Sequence, residues 1–180
     1  MSLLRQRGVT LVEMAVAVAV IGFVASVAVL NTGVSDVARV EAAQSLVARA
    51  VRFARDEALR TRQPYGVALT DGARQIRVFR VDPGVDASVA IFDVRDPLSN
   101  NLWDQRFDDD PVTAGVTLTI AGTWRGTCGN NRRIVFRDAA TPGCLSTPGT
   151  LLDSATVTLA LGGHEATVFI EGFVARVDLN

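Results

Sequence analysis

One carboxylate, Glu13, stands near the start of an apolar run from Gly8 to Leu30, GVTLVEMAVAVAVIGFVASVAVL. Between Met14 and Leu30 nothing is charged, and only Gly22 and Ser26 interrupt the apolar residues. An acid one turn inside a membrane helix costs on the order of 3 kcal/mol on insertion scales, so such a residue serves a purpose. No Lys, Arg or His lies within the run. A cut after Gly8 would place a new amine on Val9, one helical turn from Glu13 and at the positive end of the helix dipole. The matching amine on a neighbouring copy or paralogue would then neutralise the acid. Glu13 in that setting is a docking device between helices.

Other residue types with chemical potential are few. The only cysteines are Cys128 and Cys144. If they lie outside the cytoplasm, a disulfide is expected, closing a loop of roughly 15 residues. Two cysteines and one distant histidine, His164, lack the number and spacing of a metal site, and no cofactor is expected. Asp108, Asp109 and Asp110 offer oxygen ligands for calcium, but three adjacent carboxylates cannot all point at one ion, and a solvated acidic loop is the expectation. Trp124, Arg125, Arg132, Arg133 and Arg137 combine an aromatic with cations, the equipment of single-stranded nucleic-acid binding. The alternative is a stapled surface loop whose arginines are solvated or meet a neighbour, and the latter is preferred. Arg39, Arg49 and Arg55 on a helix surface suit acidic groups of adjacent subunits or plain solvent. No nucleophile elbow, metalloprotease helix or phosphate-binding loop is present, so the chain is not read as an enzyme.

These residues need elements to hold them. Counted from Val9, the apolar run is about 22 residues, or roughly 33 Å of helix, enough to cross a hydrocarbon core. Arg5 and Arg7 precede it, which puts the N-terminus in the cytoplasm and the remainder across the membrane. An ordinary secretory signal peptide, cut near Ala25-Ser26-Val27-Ala28, is disfavoured by the acid within its core, and a plain anchor is the other alternative. From Val37 on, Val40, Ala43, Val47, Ala50, Val51, Ala54 and Ala58 recur at helical spacing, opposite Arg52, Asp56 and Arg60. One long helix over residues 10–60 is expected, with a soft spot at Thr32-Gly33. Its first half would project and its second half would lie on the soluble domain.

After Pro64 the period changes to two. Strands are expected over residues 65–70, 75–81, 88–94, 116–120, 133–136, 156–161, 166–171 and 173–179. Turns are expected at Asp71-Gly72 and Gly162-Gly163, and Trp103 and Phe107 as pins holding a polar stretch, 95–111, onto the core. Residues 138–148 read as a loop. The fold class is α+β: a long N-terminal helix on an antiparallel sheet, with a second small sheet. Net charge is −1, which excludes a strong global field for nucleic acid or anionic lipid.

The junction Gly8-Val9-Thr10-Leu11-Val12-Glu13 resembles the class III signal of type IV pilins and pseudopilins, with Val9 where Phe is usual. The Ala-rich helix ending in Ala54, Arg55, Glu57, Ala58 and Arg60, followed by Gln63-Pro64, is similar to the GspH/FimT family of minor pseudopilins. The resemblance is close over the first 70 residues and rests on strand pattern beyond. It implies a leader, 1–8, removed by a prepilin peptidase that also methylates Val9. It implies a transmembrane assembly helix, 9–30, an amphipathic continuation, 31–62, and a β-rich periplasmic domain, 63–180. It further implies a single-pass inner-membrane protein that joins other pilins in a filament, through Glu13, for type II secretion. The alternative is a FimT-like minor pilin of a type IV pilus, in pilus biogenesis or DNA uptake, where a Gly-Arg-x-Arg element contacts DNA. Here that place is Gly172-Phe173-Val174-Ala175-Arg176, with Phe173 for the first arginine. A membrane-anchored binding protein outside any filament is the third class.

Overall fold

The computed structural model describes residues 11–29, 32–70, 72, 74–82, 84, 86–129, 132–137, 141–172 and 177–179, with backbone alone for 22–29, 32–35 and 177–179. The chain forms two units, Met1–Ser35 and Asp36–Asn180. In the first, helix α1 (Leu11–Val29) carries Glu13 in its first turn. Its side chains at residues 11–21 are exposed. Among the described residues no helix is long and apolar enough to cross a membrane. Helix α2 runs Thr32–Thr61. Of the single helix expected over 10–60, residues 11–29 and 32–60 are helical, and residues 10, 30 and 31 lie outside the described residues.

Within the second unit, α2 ends where the sequence turns a corner. Arg62 takes a left-handed conformation (φ 55°), and Pro64 forbids another helical turn. All seven small or branched residues of the expected stripe, Val40 to Ala58, are buried. Alanine at four of them lets the helix lie close to its sheet. Arg52, Asp56 and Arg60 face water as expected.

Two antiparallel sheets complete the unit. The first has five strands in the order β3-β2-β1-β5-β6: β1 (Tyr65–Thr70), β2 (Gln75–Arg80), β3 (Asp104–Arg106), β5 (Arg133–Phe136) and β6 (Pro142–Cys144). The second has four, β4-β7-β8-β9: β4 (Thr117–Trp124), β7 (Leu152–Leu161), β8 (His164–Glu171) and β9 (Val177–Leu179). Alternation sends Val67, Leu69, Ile76, Val78 and Ile134 into one core with α2 and the inner side of the second sheet. Ala68, Phe79, Val81, Val135 and Leu145 form a smaller core on the other face of the first sheet. There Phe79 lies over Gly66, where a Cβ would stand 2.4 Å from the ring, so only glycine fits. Gln44, buried on α2, donates to the Thr167 carbonyl at 2.8 Å and joins the helix to β8.

Several expectations are corrected. Residues 88–94 are not a strand: Ile91 makes one isolated bridge to Arg80. The free edge of β2 is already taken at Gln75, Ile76 and Arg77 by β3, and the Val78 N–H by Trp103. β3 lies in the stretch expected to be irregular, and β6 in the expected loop. β4 runs on to Trp124, β7 starts at Leu152 and β8 at His164, each longer than expected. Of the strand expected over 173–179 the structure shows β9, and residues 173–176 lie outside the described residues. The Gly162-Gly163 turn is present with φ of 59° and 84°. At Gly162 the Asp36 carboxylate stands 2.6 Å from where a Cβ would be. Asp71 is outside the described residues, while its partner Gly72 has the positive φ a turn needs.

Candidate functional site

Gly8 and Val9 lie outside the described residues. Glu13 sits exposed in the first turn of α1, where its charge meets the favourable end of the helix dipole. The exposed neighbours Leu11, Val12, Met14 and Val16 make this turn an apolar surface bearing one acid. An arrangement of that kind suits contact with another apolar helix that brings a cation.

Cys128 and Cys144 form the expected disulfide, with Cα atoms 5.8 Å apart. Cys144 is the last residue of β6, so the bond ties the loop after β4 to the edge of the first sheet.

The arginine cluster is largely spent on the protein itself. Trp124 is half-buried and packs on the main core, its indole N–H enclosed beside Gly122. Arg125 pairs with Asp153. Arg137 donates to the Ala87 carbonyl at 2.9 Å. Arg133, on β5 opposite Ala68, is half-buried, while the Arg132 side chain is exposed and its carbonyl accepts from the Leu69 N–H. Phe173 and Arg176 lie outside the described residues. The indole is therefore not an open stacking platform.

Asp108, Asp109 and Asp110 are used one by one. Asp108 pairs with Arg74 at 3.2 Å, Asp109 approaches Arg106 at 3.7 Å, and Asp110 caps the Val112 N–H at 2.9 Å. Among the described residues no group of three or more His, Cys, Asp or Glu could hold a metal ion. His164 is exposed at the start of β8, opposite Leu161. Of the helix-surface arginines, Arg39 pairs with Asp36 at 3.8 Å, and Arg49 lies 3.9 Å from Asp96 and 5.3 Å from the Trp103 ring centre. The Arg55 Nε is buried.

Sequence reasoning missed what holds the strap between β2 and β4. Arg74, Arg77 and Arg80, spaced three apart, each meet a strap acid: Asp108, Asp104 and Asp93 respectively. Arg80 and Asp93 form a forked pair with contacts of 2.7 to 3.1 Å, which holds the Asp93 carboxyl below its ordinary pKa. The signal was present: eight aspartates between residues 82 and 110 follow three regularly spaced arginines. Trp103 and Phe107 are buried, as expected of pins, and Trp103 stacks on Phe53 at 6.2 Å.

Residues 3–29 match the prokaryotic N-terminal methylation motif. Two structures of the minor pseudopilin EpsH from the type 2 secretion system of Vibrio cholerae share the fold. One superposes with a TM-score of 0.54 at 10% identity, over 79% of this chain and 96% of that one. The other gives 0.50 at 12% identity, over 78% and 92%. No curated protein matches the sequence significantly. The resemblance read from the sequence is thus borne out in its N-terminal motif and in its α+β fold.

Proposed function

We propose that this chain, which joins a prokaryotic methylation motif to the fold of a minor pseudopilin, is a structural subunit of a type II secretion pseudopilus. The observation that carries the reading is that conjunction: a motif over residues 3–29 ahead of a helix-on-two-sheets domain. In this reading the inner membrane holds the precursor by the apolar run, and the soluble unit lies in the periplasm. A prepilin peptidase cuts after Gly8 and methylates Val9. The methylated amine of an adjoining pilin then meets Glu13, drawing the apolar helix into the fibre. The role is mechanical, moving protein cargo by assembly and not by bond chemistry.

A FimT-like role in DNA uptake is the second reading, resting on Arg132 and Arg133 beside the disulfide. It draws less support, because Trp124 packs on the core and Arg125 and Arg137 have partners within the protein.

The test is the mature N-terminus together with a Glu13→Ala variant. Mass spectrometry should find N-methylated Val9 as the first residue. Glu13→Ala should insert in the membrane at normal levels yet be lost from the filament fraction by about tenfold or more, since one desolvated ion pair is worth well over 1.4 kcal/mol. An intact Met1 in the mature protein, or normal incorporation of the variant, would overturn the reading.

A further inference from the structure

The four-stranded sheet ends on one side in β4, whose only strand neighbour among the described residues is β7. The hydrogen-bond register shows which backbone groups that leaves open. The Gly172 N–H donates to the Asp153 carbonyl at 2.8 Å, so Asp153 and each second residue after it address β8. Ser154, Thr156, Thr158 and Ala160 therefore address β4, where they oppose Thr123, Ala121, Thr119 and Thr117. The Thr117 hydroxyl donating to the Ala160 carbonyl at 3.2 Å agrees with this parity. Among the described residues, the N–H and C=O groups of Leu118, Ile120 and Gly122 are left facing outward on the open edge.

Edges of this length are usually guarded by charge, proline, shortness or a bulge. β4 has eight residues with no charge and no proline. Its one irregularity is a register shift at Thr123/Trp124, beyond the three outward-facing residues. The edge is also complementary to itself. Antiparallel pairing centred on Ile120 would set Leu118 against Gly122 in hydrogen-bonded pairs, and Thr119 against Ala121 in a non-hydrogen-bonded pair. Thr117 would meet Thr123, a favourable cross-strand match, and no like charges would meet.

We propose that β4 is a docking edge for a second copy of this chain, joined β4 to β4 about a twofold axis at Ile120 to make one continuous sheet. The contact is isologous, each copy supplying the same residues, and closes at two copies. It is independent of whether the chain enters a filament.

Register-specific crosslinking tests it with the full-length protein in detergent micelles. Thr119 and Ala121 are both exposed, and the two native cysteines are already joined. Thr119→Cys and Ala121→Cys preparations are mixed and mildly oxidised. Directly opposed residues in such a pair stand about 4.5 Å apart at Cα, within disulfide range, while identical positions on the two copies lie about 7 to 8 Å apart. The mixture should give about tenfold more covalent dimer than either variant oxidised alone. In sedimentation, Thr119→Lys should turn the dimer to monomer while the circular dichroism spectrum stays native, since the residue is exposed and the lysine only guards the edge. Equal crosslinking by all three samples, no crosslinking in the mixture, or a dimer that survives Thr119→Lys would each overturn the proposal.

Discussion

Two long stretches, β2 to β4 and β4 to β7, each return strands to the first sheet, and they differ in what else holds them. The strap from Asp82 to Thr113 carries no covalent tie. Arg74, Arg77, Arg80 and Arg49 each approach one of its aspartates, while Trp103 and Phe107 sink into the core. The stretch between β4 and β7 gives β5 and β6 to the first sheet, buries Ile134, Val135 and Phe136, and is closed by one disulfide. The first depends on one short strand, β3, and many weak contacts around two strong apolar anchors. The second adds to its two paired strands a single covalent bond that constrains the unfolded chain as well as the folded one. Solvent conditions should therefore separate them: salt and acid act on the strap, reductant on the loop.

The comparison breaks most sharply at Trp103. Replacing this buried ring with alanine leaves a cavity beneath the strap and removes its stacking on Phe53, which should cost about 3–5 kcal/mol. Hydrogen exchange should show residues 82–113 opening first, with the 125–151 region still protected. If both open together, the two are not independent. Next in size is the disulfide. Cys128→Ala with Cys144→Ala should lower stability by about 3 kcal/mol, or roughly 6–12 °C in melting temperature for a unit of this size, with the strap's protection unchanged.

The smallest effect sharpens the electrostatic half of the contrast. The Arg80–Asp93 pair is exposed, so a double-mutant cycle should give only about 0.2–1 kcal/mol. Arg80 donates to Asp93 and depresses its pKa, so this contribution is fully present above the ordinary carboxylate range near pH 4 and is lost as pH falls through the lower folded value. The melting-temperature gap between the native chain and Asp93→Asn should accordingly shrink from pH 6 to pH 3 and narrow in high salt. A gap unaltered by both would mean the carboxylate acts only as a packing group.

What could be read in the sequence follows from where the physics is local. The α2 stripe was legible because valine and alanine recur at the helical period over about five turns, from Val40 to Ala58. β1, β2 and β5 were legible from dense alternation of branched and aromatic residues. β3 and β6, Asp-Gln-Arg and Pro-Gly-Cys, have no such pattern and are strands because β2 and β5 present open edges to them. The strand expected over 88–94 failed for the same reason: β2 had already given its edge to β3. At the candidate site, Glu13 and the cysteine pair stood out as singular residues in plain surroundings. The fate of Trp124 and its arginines depended on Asp153 and Ala87, distant in sequence, and no spacing rule announces that.

The four-stranded sheet turns Thr117, Thr119 and Thr123 outward beside Ser154, Thr156 and Thr158. Across β4 and the middle of β7 that patch of hydroxyls has nothing to ionise, and the acids of the same face, Glu165 and Glu171, stand one strand away on β8, opposite Ala160 and Ser154. A contact confined to those hydroxyls would change little between brine and fresh water, whereas one that reached β8 would answer to salt and acid, as the aspartate-laced strap elsewhere on the same domain does.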